Sequence, residues 1–472
     1  MCYSPIVHAD CPCNEVVSIR NRVIGVVPKP SILAIVNLRQ TLRRMARYLG
    51  VVTPIERDVF YKAYAGSKRR AYEAAAASLD EYPINRRDSR IDMFVKCERI
   101  NPCEKRNPDP RPISARNKRY VLSIGVWLKP LEHRLYKCKF GFRSRIIVKG
   151  MNPTARATLL YKKLGWFDEP ICVSLDCSRW DKHVSMELLM LEHAFYNSKC
   201  NDPELAKLLS WQLVNRCRTR HGIKYVARGR RMSGDYNTAL GNCLLMTTMV
   251  ITAMEHTGLH YDVMDDGDDC LLILEKRDEN VLKMLPTVFL TFGQELKIEN
   301  VATTPEQVLF CQSKLLYMDP GWKFVRNPVK VLSNASTGFL KLRDARLRRK
   351  MLYAVGICEL TLNLGVPVLQ TFACKLMKLG MECDVRQLLD NAPDYQDMAY
   401  RVRGLTLVKD AQDVKVATRL SFTRAFGMSV REQVDTEMVI TQWNPDVFDE
   451  YEVPYDICHE LGVAMDISLT GL

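Results

Sequence analysis

The sequence has no internal repeat with a period of about 20–50 residues and no low-complexity segment, which excludes solenoids, propellers and compositional linkers. Its longest uncharged apolar stretch, Cys243 to Met254, is too short to span a bilayer, so the chain is not expected to enter a membrane by itself. It carries neither a phosphate loop ending in Gly-Lys-Ser/Thr nor a His-Glu-x-x-His pair, and helicase and protease chemistry are not expected. A signal peptide is absent, and the 17 cysteines are odd in number and follow no framework spacing. Both features point to reduced thiols in a cytosolic setting. The tightest soft-ligand cluster, His8, Cys11 and Cys13, falls short of a zinc site unless further ligands join it. Basic residues are missing from one region: from Glu432 to the C-terminus there are ten carboxylates and no Lys or Arg.

What is present is an ordinary globular composition, 47% apolar and 26% charged over 472 residues. That length accommodates roughly two to four subdomains around a substantial core. The formal net charge of +14 is unevenly spread, because residues 1–431 carry +24. A basic body with an acidic tail fits a polyanion partner such as nucleic acid. The tail also holds Trp443, Phe448, Tyr451 and Tyr455, so it is expected to pack.

Taken in order, the first thirty residues contain Pro5, Pro12, Pro28 and Pro30 and read as irregular or extended. Leu38, Leu42, Met45 and Leu49 recur at helical spacing, with Gly50 as a stop, and alanines are dense over the next helix, Lys68 to Leu79. From Phe94 to Arg119 a basic stretch is broken by Pro102, Pro108, Pro110 and Pro112, which favour extended backbone. Arginines fixed on such a backbone suit a triphosphate. A basic loop that docks RNA without specificity fits this stretch equally well. A helix through Leu128, Leu131 and Leu135 follows, distorted by Pro130.

Three later stretches carry the chemistry. Ile171, Val173 and Leu175 alternate as on a half-buried strand that ends at Asp176, and Asp181 lies in the turn leading to an amphipathic helix from Met186 to Asn197. Arg231-Met-Ser-Gly-Asp-Tyr-Asn-Thr opens a long apolar helix reaching Glu255, with Asn237 or Thr238 as its cap. On that helix Thr238 and Asn242 share a face, while Ala239 and Gly241 permit close approach. Finally, apolar runs flank Asp265-Asp-Gly-Asp-Asp, and Gly267 suits the positive φ of a tight hairpin turn. Carboxylates crowded at a hairpin tip repel one another unless a divalent cation joins them. Alone, the tip is equally readable as a solvated acidic turn. A second carboxylate at another strand end, Asp176, is the arrangement from which a two-metal site is assembled. Beyond the hairpin a helix is expected over Val281 to Phe292, then a strand from Glu295 carrying Lys297, then a hairpin or turn within Val308 to Tyr317. Helices over Arg343 to Leu360, basic on one face, and over Val366 to Leu379, with Pro367 in its first turn and Gly380 as its stop, complete the pattern.

The ordered set Asp176-x₄-Asp181, Ser233-Gly-Asp-x-Asn-Thr238-x₃-Asn242, Gly267-Asp-Asp resembles the RNA-dependent RNA polymerases of plus-strand RNA viruses. The likeness is greatest to the tombusvirus-like plant group and weaker to the hepacivirus enzymes. It runs from about Arg43 to Tyr317 and includes Phe94-Val-Lys-Cys-Glu, Pro110-Arg-Pro-Ile-Ser-Ala-Arg, Lys149-Gly, Glu192-His and Phe310-Cys-Gln. Trp180 stands where Phe is usual, the segment after Lys149 has drifted, and Asp266 stands where Asn is more frequent, adding charge beside the metals.

The resemblance implies an α+β right hand, its antiparallel palm sheet flanked by helices. An N-terminal region and the fingers would span 1–145, with a fingers insertion at 186–230, the palm 146–185 and 231–325, the thumb 326–431, and the acidic tail 432–472. It implies Asp176, Asp268 and Asp269 as ligands of two Mg²⁺ ions, with Mn²⁺ as a substitute, and Lys297 as general acid for pyrophosphate. Asp181, Thr238 and Asn242 would read the ribose 2′-hydroxyl, and Ser233 would position template or nucleotide. Lys96, Arg111 and Arg116 would neutralise the rNTP triphosphate, and Arg343, Arg346, Arg349 and Lys350 would meet the product duplex through phosphates. The expected partners are RNA template and product, rNTPs and a viral or host replication cofactor, with no DNA. The expected place is the host cytoplasm, at membrane-associated replication sites reached through a partner or upstream segment. The tail is expected to fold over the basic channel and compete with RNA. A two-metal nuclease also uses clustered aspartates but has no use for a ribose-reading set, and a noncatalytic RNA-binding protein would not need every metal-binding aspartate.

Overall fold

The computed structural model of the chain describes residues 2–104, 107–335, 344–392, 396–443 and 455–457. Helices and largely antiparallel sheets make an α+β architecture. At its centre lies a four-stranded antiparallel sheet in the order Tyr261–Asp265, Cys270–Glu275, Pro170–Cys177, Leu296–Ala302. Its first two strands form the acidic hairpin, and the strand that ends at Asp176 pairs directly with the hairpin's second arm.

Alternation over Ile171, Val173 and Leu175 predicts one buried face, yet the strand Pro170–Cys177 is buried on both. Ile171, Val173 and Leu175 join the largest core together with the helix Thr238–Glu255. Cys172 faces the other way, into a second core with Leu271, Ile273, Phe310 and Leu315. The short apolar run fits such a doubly covered strand as well as an amphipathic one. The helix Thr238–Glu255 is buried at every position from Leu240 to Met254. Among the described residues it is the one helix long and apolar enough to cross a membrane, and 83% of its apolar window is buried inside the fold. An all-round apolar helix is what a core position requires. Each Leu, Ile or Met it buries contributes roughly 1.5–3 kcal/mol relative to exposure.

A second sheet orders Pro112–Arg116, Ile91–Val95, Val214–Thr219 and Lys224–Arg228. It joins the proline-broken basic stretch to a hairpin about one hundred residues later in sequence, through a parallel pairing of Ile91 with Cys217. A third sheet, Leu309–Phe310, Ser313–Tyr317 and Trp322–Arg326, extends the hairpin expected near Val308 by one strand. The N-terminal helices follow their periodicity: Ile32–Ala46 buries Leu38, Leu42 and Met45, and Gly66–Glu81 replaces the shorter span expected there. The helix Lys118–Lys137 runs through Pro130 without ending, and Leu128, Leu131 and Leu135 are fully buried.

Several expectations are corrected. Residues 281–292 are not one helix: a 3₁₀ segment, Lys276–Lys283, precedes the helix Leu285–Thr291, because Pro286 is tolerated only in a first turn. Pro367 lies outside the helix Leu369–Leu379. Gly380 does end that helix, its N–H donating to Leu376 O and Met377 O, and it is also a contact point, since a Cβ there would lie 2.5 Å from the backbone nitrogen of Tyr353 on the helix Ala345–Asn363. His8 bonds the carbonyl of Pro108 at 2.8 Å, and His8, Cys11 and Cys13 do not gather into a ligand cluster among the described residues. All sixteen cysteines among the described residues are free.

The acidic stretch divides in two. The helix Val430–Gln442 crosses the boundary expected at 431/432: its Ser429 cap is boxed with Glu432, Glu437 takes both outer nitrogens of Arg419, and Trp443 stacks on Phe372. Further on, Tyr455–Ile457 pairs in parallel with Ile6–His8, whose Ile6 bridges Ile100. Residues 444–454 and 458–472, with Phe448 and Tyr451, lie outside the described residues. Truncation after Arg431 is therefore expected to destabilise the protein by on the order of 2–4 kcal/mol, through lost packing and a half-buried Arg419 without its partner. Truncation after Trp443, which keeps this helix whole, is the reference for that loss. Urea midpoints compare the two, and coincident curves would show that the helix Val430–Gln442 adds nothing.

Candidate active site

Strand pairing positions the carboxylates. Leu175 pairs with Cys270 at the end of the central ladder, so Asp176 and Asp269 leave adjacent strands side by side, while Lys297 stands opposite Asp176 on the other neighbour. Asp265 closes the hairpin against Cys270, and the Asp266 N–H donates to the Asp269 carbonyl at 2.9 Å. The turn thus takes in Asp266 to Asp269, and Gly267 has the expected positive φ, at 107°. Residues 146–148 lie along the hairpin's free edge: Asp265 N–H donates to Ile146 O and Val148 N–H to Asp265 O, each at 2.8 Å.

Asp176, Asp268 and Asp269 are half-buried, and their charges act on one another. Burial, then Asp268, Asp266, Asp176 and Glu299, push Asp269 up to about 7. Burial and Asp268 raise Asp181 to about 6, against the pull of Arg231, Arg111 and an Asn242 hydrogen bond. Asp265, fully buried beside Asp266, is raised well above the carboxylate range. Such a set holds surplus negative charge that protons or a cation must balance. All its donors are oxygens, a match for Mg²⁺ or Mn²⁺ and a poor one for zinc. The ligand oxygens of Asp176, Asp268 and Asp269 do not all approach within 4.8 Å. Among the described residues the only trio that tight is Asp10, Glu15 and His221, where Glu15 already pairs with His221 at 3.0 Å and Asp10 with Arg220.

Asp266 adds charge that acts on Asp269, and that charge is also paired. Lys149 Nζ approaches its Oδ1 at 2.9 Å and Arg156 its Oδ2 at 2.6 Å, so two cations from the edge segment and the next helix offset it in part. Neither partner was legible beforehand, because nothing local in the sequence links positions 149 and 156 to 266.

Asp181 and Asn242 come together, the Asn242 amide bonding the Asp181 carboxyl. Thr238 and Ser233 serve the backbone. The Thr238 hydroxyl lies 2.9 Å from Met232 O and 3.0 Å from Asp235 O, and Ser233 Oγ accepts from Ser114 N–H and donates to Pro112 O, each at 3.1 Å. Asn237 starts the helix without a side-chain cap; its amide goes instead to Glu192 and Gln212. The basic strand sorts by period two. Lys96 and Arg111 stand at the rim, both paired with Glu98, at 3.0 and 3.3 Å, and the Arg111 charge reaches Asp181. Arg116 points inward and has no exposed side-chain surface. It is bound by Asp235, by Asn215 at 2.6 Å and by the Ser89 carbonyl, and is unable to meet a triphosphate. Lys297 is exposed at the sheet edge. Arg346 and Arg349 are exposed and Lys350 half-buried in the first turns of the helix Ala345–Asn363, while Arg343 lies outside the described residues.

Residues 7–447 match the family described as viral RNA dependent RNA polymerase. The chain is 34% identical over 438 residues to the RNA-directed RNA polymerase of Tomato bushy stunt virus (strain Cherry), which covers 91% of this chain and 52% of that protein. To the RNA-directed RNA polymerase of Turnip crinkle virus it is 33% identical over 426 residues, 86% of this chain and 54% of the relative. To that of Panicum mosaic virus it is 33% identical over 408 residues, 84% and 40%. The chain spans about half the length of the curated relatives it matches. A sheet that ends in clustered aspartates, a match over nearly the whole chain and relatives of one kind agree, and the chain belongs to the viral RNA dependent RNA polymerase family.

Proposed function

We propose that this chain carries out templated RNA synthesis, joining rNTPs to an RNA 3′ end, in the replication of a plus-strand viral genome. The observation that supports this best is the meeting of Asp176 with Asp268 and Asp269 at one end of the central sheet, in a member of this family. In this reading the central sheet and the helix Thr238–Glu255 are the palm, the second sheet belongs to the fingers, and the helices after Pro328 are the thumb. Asp176, Asp268 and Asp269 would hold two Mg²⁺ ions, which when bound supply activation of the 3′-hydroxyl and charge neutralisation on the leaving pyrophosphate.

The protein's own groups do the rest. Lys96 and Arg111 exchange Glu98 for the incoming triphosphate at the rim, and Lys297, across from Asp176, delivers a proton to the departing pyrophosphate. Asp181 and Asn242 read the ribose 2′-hydroxyl, and a deoxy sugar leaves their polar atoms unpaired. Arg346, Arg349 and Lys350 contact product phosphates, which makes duplex binding fall with salt. RNA template, product duplex and rNTPs are the partners. Recruitment to membrane-associated sites in the host cytoplasm would come through a partner or a segment outside this chain.

Asp268→Ala is expected to lower Mg²⁺-dependent incorporation on a short RNA template by at least about 10³-fold, with RNA binding nearly intact. Mg²⁺ is expected to raise the thermal midpoint of the unsubstituted protein and not that of Asp268→Ala. Synthesis by Asp268→Ala well above background would remove it from the metal set, and RNA degradation by the unsubstituted protein would favour a nuclease. Lowering the pH through about 7 is expected to weaken Mg²⁺ binding, since Asp269 then gains the proton that the cation must displace. A titration followed at pH 6 and pH 8 checks the sign.

A further inference from the structure

Beneath Asp181 and Asn242 lies a buried ion pair to which the chemistry above assigns no part. Arg231 and Glu192 have side chains 1% and 0% exposed. Arg231 Nη1 donates to Glu192 Oε1 at 3.1 Å and Nη2 to Oε2, the two-pronged geometry that fixes a guanidinium plane. With both outer nitrogens held by Glu192, the third nitrogen, Nε, donates to Asn242 Oδ1 at 3.1 Å. The backbone N–H of the same residue donates to the Asp181 carbonyl at 3.1 Å. One arginine therefore grips the two elements that carry the sugar-reading groups.

The consequence for Asn242 is directional. A guanidinium has donors and no acceptors, so the atom of Asn242 facing it is the oxygen. The amide nitrogen is then turned the other way, toward the Asp181 carboxyl that Asn242 hydrogen-bonds. That nitrogen carries a second hydrogen to offer, while the Asp181 carboxylate accepts: a donor and an acceptor side by side, the complement of one hydroxyl group.

Glu192 is anchored independently. It accepts from the Tyr196 hydroxyl at 2.9 Å and from Asn237 Nδ2 at 2.8 Å, and Gln212 ties Asn237 onward to His193. Room for the pair comes from Gly241, where a Cβ would lie 2.5 Å from both the Glu192 carboxyl and the Arg231 guanidinium.

We infer that the Arg231–Glu192 pair is the positioning element for sugar selection: it fixes which way the Asn242 amide faces and the separation between Asn242 and Asp181. This rests on the reading of Asp181 and Asn242 as the 2′-hydroxyl site. Without the Glu192 charge the guanidinium is left with Asp181 as its nearest acidic partner, and it takes up the oxygens the hydroxyl needs.

The test compares kcat and KM for matched rNTP and 2′-deoxy-NTP substrates in the unsubstituted protein and Glu192→Gln, which keeps shape and removes charge. The expected result is a higher KM for rNTP and discrimination against the deoxy substrate reduced by about tenfold or more, with deoxy-substrate use little changed. A merely structural role predicts equal losses for both substrates, and that outcome overturns the inference, as does unaltered discrimination. If Glu192→Gln does not fold, the uncharged double variant Glu192→Gln/Arg231→Gln is read by the same ratio, with the same two overturning outcomes. Selective rNTP incorporation by the unsubstituted protein with no change in the variants sinks this inference alone; no incorporation by the unsubstituted protein sinks the proposed function and the inference together.

Discussion

Like charges held together at the end of one sheet are the constraint around which the rest of the molecule is arranged. Ladder hydrogen bonds between the strand Pro170–Cys177 and the acidic hairpin force Asp176, Asp268 and Asp269 into one neighbourhood, and those bonds survive because both faces of the sheet are sealed in apolar cores. Burial that secures the ladder also strips water from the carboxylates, which is why Asp269 and Asp181 bind protons so far above their ordinary range. The site is therefore poised to gain a cation: stability spent on crowding is recovered when positive charge arrives.

Around that centre, cations are distributed by burial. Lys149 and Arg156 pair with Asp266 at the turn itself, and Arg231 pairs with Glu192 one layer below. Arg116 cancels Asp235 at the joint between the basic strand and the loop that opens the central helix. Each of these pairs spans elements far apart in sequence, and each would leave a buried charge if one member were lost. By contrast Lys96 and Arg111 share a single carboxylate at the rim, where water lowers the cost of parting. The inner pairs hold geometry, and the outer ones are available to a visitor.

Local signals in the sequence carried much of this. Periodicity located the helices through Leu38 and Leu128, and the Asp-Gly turn between apolar runs located the hairpin, because each is decided by residues within a few positions of one another. The ends of elements near proline were less legible, as at Pro286 and Pro367, where a first-turn proline fits several starting points. What the sequence could not disclose were long-range partners. Arg116 looks like any other arginine of its basic stretch, and only the register that turns it inward, toward Asn215 and Asp235, distinguishes it from Arg111. The pairing of Asp266 was hidden because Lys149 and Arg156 stand more than a hundred residues away. Arg231 and Glu192 were visible as letters of a pattern, but nothing short of the fold tells that they touch.

The absent side chain at Gly241 ties three distant positions of the sequence together. Positions 192, 231 and 241 share one volume, so a side chain at 241 would push the ends of Glu192 and Arg231 out of their present places. Space filling and charge thereby couple the three positions, and a change at any one of them alters what the other two can hold.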